Sequence, residues 1–276
     1  MPLLLPPLRV PWCTAKLVTS VRQLVVRGAA AGERARGRYL GVRSGQDPTI
    51  GLPTPASDRQ QIRYRLPVTG CWTVYNGGVT PEISHSWGLA GQRYAYDLVV
   101  CDEDGRRCCV CVGRARRPDA CYAWGQPVVA PAAGLVVSVQ DGHRDCPWVG
   151  IVDPFAWSSL GNFVVIRHAE GEYSLLAHLQ RGSVCVRPGQ AVEAGQIVGP
   201  CGNSGHSTEP HLHFQVQDTR RFLLAASLPA QIDGWWRAVE RVCLEHVPRG
   251  FLHRGERVCD RPSGGPAESD PEAVAG

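Results

Sequence analysis

The sequence predicts a mainly β domain built from antiparallel strands, and three observations carry that prediction. Short Val, Leu and Ile runs recur along the chain between turn residues, and Gly 31 and Pro 22 supply corners for many short strands. Several runs alternate apolar with polar residues, the period of a half-buried strand. Glycine turns separate these runs, the densest being Gly202-Asn203-Ser204-Gly205. A chain of 276 residues has room for one large domain, or for a medium domain with extensions.

Taken in order, residues 1–58 have no clear pattern and read as an N-terminal extension or linker. Leu17 to Val26 fits a short helix or strand, and the Gly/Ala/Arg-rich stretch Gly28 to Gly37 fits a linker. The folded domain is expected over residues 59–218. Ile62, Tyr64 and Leu66 alternate with polar residues, Cys71 to Tyr75 is a second strand closed by Asn76-Gly77-Gly78, and Tyr94 to Val100 is a third. Val128 to Val139 predicts two strands around the turn Pro131-Ala132-Ala133-Gly134. Asn162 to Arg167 and Tyr173 to Leu179 predict a hairpin over Ala169-Glu170-Gly171, and Pro188 to Gly199 a strand-turn-strand unit. Beyond Gln217, Arg220 to Leu228 and Gly234 to Leu244 have helical apolar spacing, so residues 219–260 are expected to form short C-terminal helices with Trp235 and Trp236 packed on the domain. The tail 261–276, rich in Pro, Gly, Ser and acids, is expected to be disordered.

Composition removes some functions. The formal charge is +4, Lys16 is the only lysine, and no basic stretch is interleaved with aromatics, so nucleic-acid binding is not expected. No run of 18 apolar residues exists, so no membrane span is expected. Twelve cysteines favour an oxidising compartment, and the even count permits full pairing. Met1 to Pro11 has a proline-broken Leu3-Leu4-Leu5 run without a basic region or a cleavage site, so an extracellular or envelope location rests on the cysteines alone. Nothing in the sequence sets the oligomeric state.

The chemistry concentrates at His211-Leu212-His213-Phe214. In a strand, His211 and His213 share one face while Leu212 and Phe214 enter the core. Two imidazoles so placed reach one metal or one substrate, and by themselves also fit the solvated side of a strand. Asp97 lies amid apolar residues and needs a partner, because an unpaired buried carboxylate is costly. Cys101, Cys108, Cys109, Cys111 and Cys121 form a cysteine-rich insertion whose Cys109-x-Cys111 could help hold a second zinc, with disulfides or buried thiols as the alternatives. Cys201 stands apart from any base, which makes a Cys/His hydrolase a distant reading.

Asn162 to His168, Tyr173 to Leu179 with its Ala177-His178-Leu179, the Pro188-Gly189 segment and Gly202 to Phe214 resemble, in order, the lysostaphin-like M23 zinc metallopeptidases. Ala130 to Val136 resembles that family's strand-turn-strand before the site, and the resemblance runs over roughly residues 72–218. It implies an antiparallel β-sheet or barrel-like peptidase domain with a groove, one Zn2+ per chain, and cleavage of peptides in bacterial peptidoglycan at stem-peptide cross-links or interpeptide bridges. Carried over residue by residue, the metal ligands are His85, Asp97 and His213, and the catalytic histidines are His178 and His211. Three N/O ligands leave zinc an open position for water, the catalytic arrangement. One departure stands out. His85 and Asp97 are 97 − 85 = 12 positions apart, a longer spacer than the family's, although loop closure costs little more with length. His206 is a further candidate for lining the groove, whereas Asn162 and Tyr173 read as structural. The implied alternative is a non-catalytic M23-like module that binds or regulates cell-wall enzymes. Lipoyl-type or phosphotransfer carriers share units like Pro188 to Gly199 but have no need of Asp97 and His85.

Overall fold

A computed structural model describes residues 52–58, 60–107, 117–239 and 244–260. Thirteen strands are formed among these residues: β1 Cys71–Asn76, β2 Tyr96–Val99, β3 Pro127–Val129, β4 Gly134–Gln140, β5 Asn162–Ala169, β6 Glu172–Leu179, β7 Ala191–Val192, β8 Ile197–Pro200, β9 Leu212–Gln217, β10 Ser227–Leu228, β11 Ile232–Ala238, β12 Leu244–Gly250 and β13 Arg257–Cys259. Among the described residues helix is confined to two single 3-10 turns, Pro118–Ala120 and Phe222–Leu224. The mainly β expectation holds. All pairs between these strands are antiparallel, and neighbours such as β2 and β9 lie far apart in sequence.

The large sheet runs β12-β11-β13-β1-β2-β9-β6-β5-β4-β7, with β10 added on β9, and β3 pairs with β8 in a second, two-stranded sheet. The large sheet is open, ending on β12 and β7. Its central strands β2, β9 and β6 are almost entirely buried, so their residues are covered on both faces. One core cluster lies beneath them, filled by Trp72, Tyr96, Leu98, Leu176, Phe214 and Trp235 among others. Leu212 and Phe214 belong to it, as the alternation requires. The predicted β5–β6 hairpin forms, and the strands around Pro131 to Gly134 are β3 and β4. The two strands of Pro188 to Gly199 also form, but they separate: β7 pairs with β4 and β8 with β3.

The C-terminal helices do not form. Where helices were expected there are β10, β11 and β12, with one 3-10 turn at Phe222–Leu224. Ile232, Trp235 and Trp236 are residues suited to a pleated surface, and their partners come from far along the chain. Ile232 bridges Tyr64, while Trp236 pairs with both His246 and Cys259. Trp235 is buried in the core and Trp236 is half-buried against His246, so only the first packs as expected. The alternating Ile62-Tyr64-Leu66 segment is extended but makes only the Tyr64 bridge. It donates from Arg65 N to Pro131 O and accepts at Tyr64 O from Asp233 N, crossing between sheets instead of joining one.

Leu52 packs with Ala90 and Ala226, and Tyr94 Oη donates to Pro53 O at 2.9 Å, so the stretch just before residue 59 lies against the domain. The expectations for Leu17 to Val26, for the linker Gly28 to Gly37, for Cys108, Cys109 and Cys111, and for the tail lie outside the described residues.

Cys71 and Cys259 form a disulfide that joins β1 to β13 across 188 positions, and Cys121 is also disulfide-bonded. Cys101, Cys146, Cys185 and Cys201 are free, so the full pairing that the even count permits is not realised. The Cys71–Cys259 link closes nearly the whole domain into one loop, which restricts the unfolded chain strongly. Replacing both residues by serine is expected to lower unfolding stability by about 3–5 kcal/mol, read as the urea midpoint shift under non-reducing conditions. An unchanged midpoint would show that the link contributes nothing.

Candidate metal centre

Register builds the site. Asp97 on β2 stands directly opposite His213 on β9, and Ala177 on β6 stands opposite His213 on the other side. Directly opposed residues share a sheet face, so Asp97, His213 and Ala177 point the same way. His178, next along β6, should then point into the core. It does not. The β5–β6 register runs Asn162↔Leu179 and Phe163↔Ala177, leaving His178 as an extra residue in a bulge, with φ at +64°. Among the described residues it is the only non-glycine in the left-handed region. The bulge turns His178 back onto the histidine face, where its ring centre lies 4.6 Å from that of His211 and 5.9 Å from that of His213. Strain of this kind persists only where the surroundings fix it. Here His178 N donates to Leu160 O at 3.1 Å and Gly202 N donates to His178 O at 2.9 Å.

The five residues expected at the site are brought together. Asp97 receives all of its neighbours at one carboxylate. His213 Nδ1 is 3.1 Å from Oδ1, His211 Nε2 is 3.7 Å from Oδ1, and His85 Nε2 is 3.5 Å from Oδ2. Asn76 Nδ2 donates to Oδ2 at 3.0 Å. The long spacer therefore returns His85 to Asp97. Arg93, four residues before Asp97, instead turns away, stacking on Trp87 and donating to its carbonyl.

Hydrogen-bond partners fix the proton positions on the rings. His178 Nδ1 meets the Ser204 carbonyl at 2.7 Å, and His211 Nδ1 meets the Glu209 carbonyl at 2.8 Å. A carbonyl only accepts, so each ring carries a proton on that Nδ1. Burial, then the neighbouring imidazoles of His211 and His213, hold His178 well below the usual histidine range, so it is neutral at pH 7. Burial also lowers His85, with Asp97 opposing it.

His213 is held by an amide relay. Its Nε2 lies 3.0 Å from Gln215 Oε1, Gln215 Nε2 donates to Gly91 O and Gln217 Oε1, and Gln217 Nε2 donates to Thr219 O. The relay ends on carbonyls, so Gln215 presents an acceptor and His213 must carry a proton on Nε2. A neutral His213 then aims a bare Nδ1 at the Asp97 carboxylate, two acceptors face to face. Only a proton or a metal ion resolves that arrangement. With the proton there, burial is outweighed by the Asp97 bond and charge, which raise His213. In the same way burial pushes Asp97 up, but the His213 bond and the charges of His211 and His85 hold its carboxyl well below the usual range.

The donor types present are ones that zinc takes. They are two imidazole nitrogens and a carboxylate. Because His85 and His213 face different oxygens of Asp97, the donors do not yet converge, and among the described residues no three His, Cys, Asp or Glu side chains stand ready to hold an ion.

Several supporting residues escaped the sequence reading. Gln215 and Gln217 continue the period-2 face of His211 and His213, and that alternation could have found them. Asn76 and the carbonyl of Ser204 carry no such signal. Arg107, from the cysteine-rich insertion, pairs with Glu209 and lies over Tyr75 at 4.3 Å, tying the insertion to the turn that orients His211. Asn162 is structural, as expected, its side chain bonding His143 and Leu179. His206 is half-buried behind the turn, its backbone N donating to Ser159 O at 2.9 Å. Cys201 is fully buried, and burial pushes its thiol far up, which removes it as a nucleophile.

Residues 119–223 match the sequence model of peptidase family M23. That span contains His178, His211 and His213 and leaves out His85 and Asp97, so it begins later than the resemblance read from the sequence. Peptidoglycan DD-endopeptidase ShyC of Vibrio cholerae is 37% identical over 67 residues, 24% of this chain and 15% of that protein. DD-carboxypeptidase/endopeptidase Mpg of Neisseria gonorrhoeae is 42% identical over 57 residues, 21% of this chain and 13% of that protein. The chain thus matches only about a seventh of the length of these relatives. A crystal structure of a putative M23 peptidase from Pseudomonas aeruginosa aligns with 75% of this chain and 57% of its own at 20% identity, with a TM-score of 0.35. No helix among the described residues is long and apolar enough to cross a membrane.

Proposed function

We propose that this chain, whose residues 119–223 match the model of peptidase family M23, is a zinc-dependent endopeptidase hydrolysing peptide bonds in bacterial peptidoglycan. The single observation that carries the reading is the Asp97 carboxylate with three imidazoles directed at it. His85, Asp97 and His213 would hold the ion. When bound, zinc supplies a Lewis acid that acidifies water and polarises the scissile carbonyl.

The chain's own residues do the rest. His178, neutral and with Nε2 bare, accepts a proton at that atom and acts as general base. His211 shares its face, with Nδ1–H fixed by Glu209, so its Nε2 can hold a proton against developing negative charge. The two rings divide proton transfer and charge stabilisation between them. Gln215 and Gln217 keep the His213 ring in one orientation, as outer partners of metal-binding histidines do. All five residues the chemistry needs are retained, which leaves no observation favouring a non-catalytic module.

The test is product analysis of digested sacculi. Cross-linked muropeptide dimers are expected to fall to monomers with one new amino group per bond and no new reducing ends. Intact dimers after digestion by folded, zinc-loaded protein would refute the peptidase reading.

A further inference from the structure

Beside the glycine-rich turn lies an open cleft of about 760 Å³ that the metal centre does not use. Its volume is that of a ligand site. Trp124 and Trp148 line it together with Arg117, Asp119 and Asp145. Trp148 exposes 44% of its surface and Trp124 is half-buried, so both indoles remain available.

We propose that this cleft is a saccharide subsite, seating a pyranose of the glycan strand whose peptide branch reaches the histidines. The proposal rests on the reading of the substrate as peptidoglycan. A pyranose has an apolar C–H face and a rim of hydroxyls. Flat indoles cover the first, and carboxylates and a guanidinium bind the second.

Both tryptophans are set on a rigid base. Gly125, next to Trp124, donates from N to Cys201 O, and Cys201 N donates to Gln126 O, each at 2.8 Å. Opposite, Cys146 N donates to Asn203 O at 3.0 Å, and Asn203 Nδ2 donates to the Trp148 carbonyl at 3.2 Å. The single stretch Cys201 to Asn203 thus holds one tryptophan on either side, and such preorganisation lowers the cost of binding. At the floor, Asp145 Oδ1 accepts from Asn203 N and Oδ2 from Arg181 N. Each oxygen keeps a second lone pair for a hydroxyl. At the rim, Arg117 Nε lies 3.4 Å from Asp119 Oδ1, pairing a donor with an acceptor.

A peptide is the poorer occupant. Extended peptides bind by adding to free backbone N–H and C=O groups, yet the backbone along these walls is already engaged at Gly125, Cys146, Trp148, Cys201 and Asn203. The same turn continues into Ser204, whose carbonyl orients His178, so one turn carries both the wall of the cleft and the partner of that ring.

Calorimetric titration of the full chain with the N-acetylglucosamine tetramer tests the assignment. Wild type is expected to bind, Trp148→Ala to bind about tenfold more weakly or worse, and Trp148→Phe to recover most of the affinity. On sacculi Trp148→Ala should lose rate in proportion, while its rate on cross-linked peptide freed of glycan stays that of wild type. Trp148 is exposed, so its replacement leaves the fold intact even where Trp124→Ala does not. Absence of tetramer binding by wild type at millimolar concentration, or equal affinity of Trp148→Ala, overturns the proposal. If free peptide is still cut, the saccharide subsite falls alone. If the tetramer binds and no peptide is cut, the peptidase reading falls alone.

Discussion

Asp97→Ala is expected to abolish both metal and activity, with bound zinc falling from about one per chain to near none and hydrolysis falling by about a thousandfold or more. The size follows from what this carboxylate touches. It stands opposite His213 in register, meets His85 on its other oxygen and faces His211 as well. Without it, the two imidazoles proposed as its fellow ligands have no anion between them. The Nδ1 of His213 is left buried without that partner. Asp97→Asn is the sharper variant, since an amide of the same shape keeps the packing while losing the charge. Elemental analysis of the purified variants, with circular dichroism to confirm folding, reads the result. An Asp97→Ala protein that keeps its zinc and its rate would remove Asp97 from the ligand set.

His178→Ala should separate chemistry from metal binding. The rate is expected to fall by about a hundred- to ten-thousandfold while zinc content stays near wild type. His178 contacts the other histidines yet is anchored independently of Asp97, through Ser204 and Leu160. Its left-handed backbone makes alanine a strained substitute, so His178→Asn is the useful companion. Asparagine tolerates that conformation and its amide can still donate to the Ser204 carbonyl. Both variants should lose activity alike, because neither carries a nitrogen able to take a proton at pH 7. If His178→Asn retained full rate, His178 would be a positioning residue only and the base would have to be His211.

The parts of this protein legible in its sequence are those governed by neighbours along the chain. The β5–β6 hairpin, the turn at Pro131 and the alternation of β9 all follow from local pattern, and so does the shared face of His211 and His213. The same alternation reaches Gln215 and Gln217. The C-terminal strands were not legible, because the apolar spacing of Gly234 to Leu244 suits a helix as well. What makes it β11 and β12 is pairing with Tyr64 and Cys259, residues remote in sequence. The bulge at His178 is hidden for a related reason. Strict alternation from Ala177 would have sent that ring into the core, and only the added residue against β5 brings it back. His85 sits in an irregular segment with no period at all, and folding alone reveals how it reaches Asp97.

Release of new amino groups from purified sacculi, followed with and without a zinc chelator, tests the central claim most directly. Amines should appear with the zinc-loaded protein, stop when the chelator is added, and return when zinc is restored in excess. Release that continues at an unchanged rate under chelation would contradict a metal-activated water held by His85, Asp97 and His213.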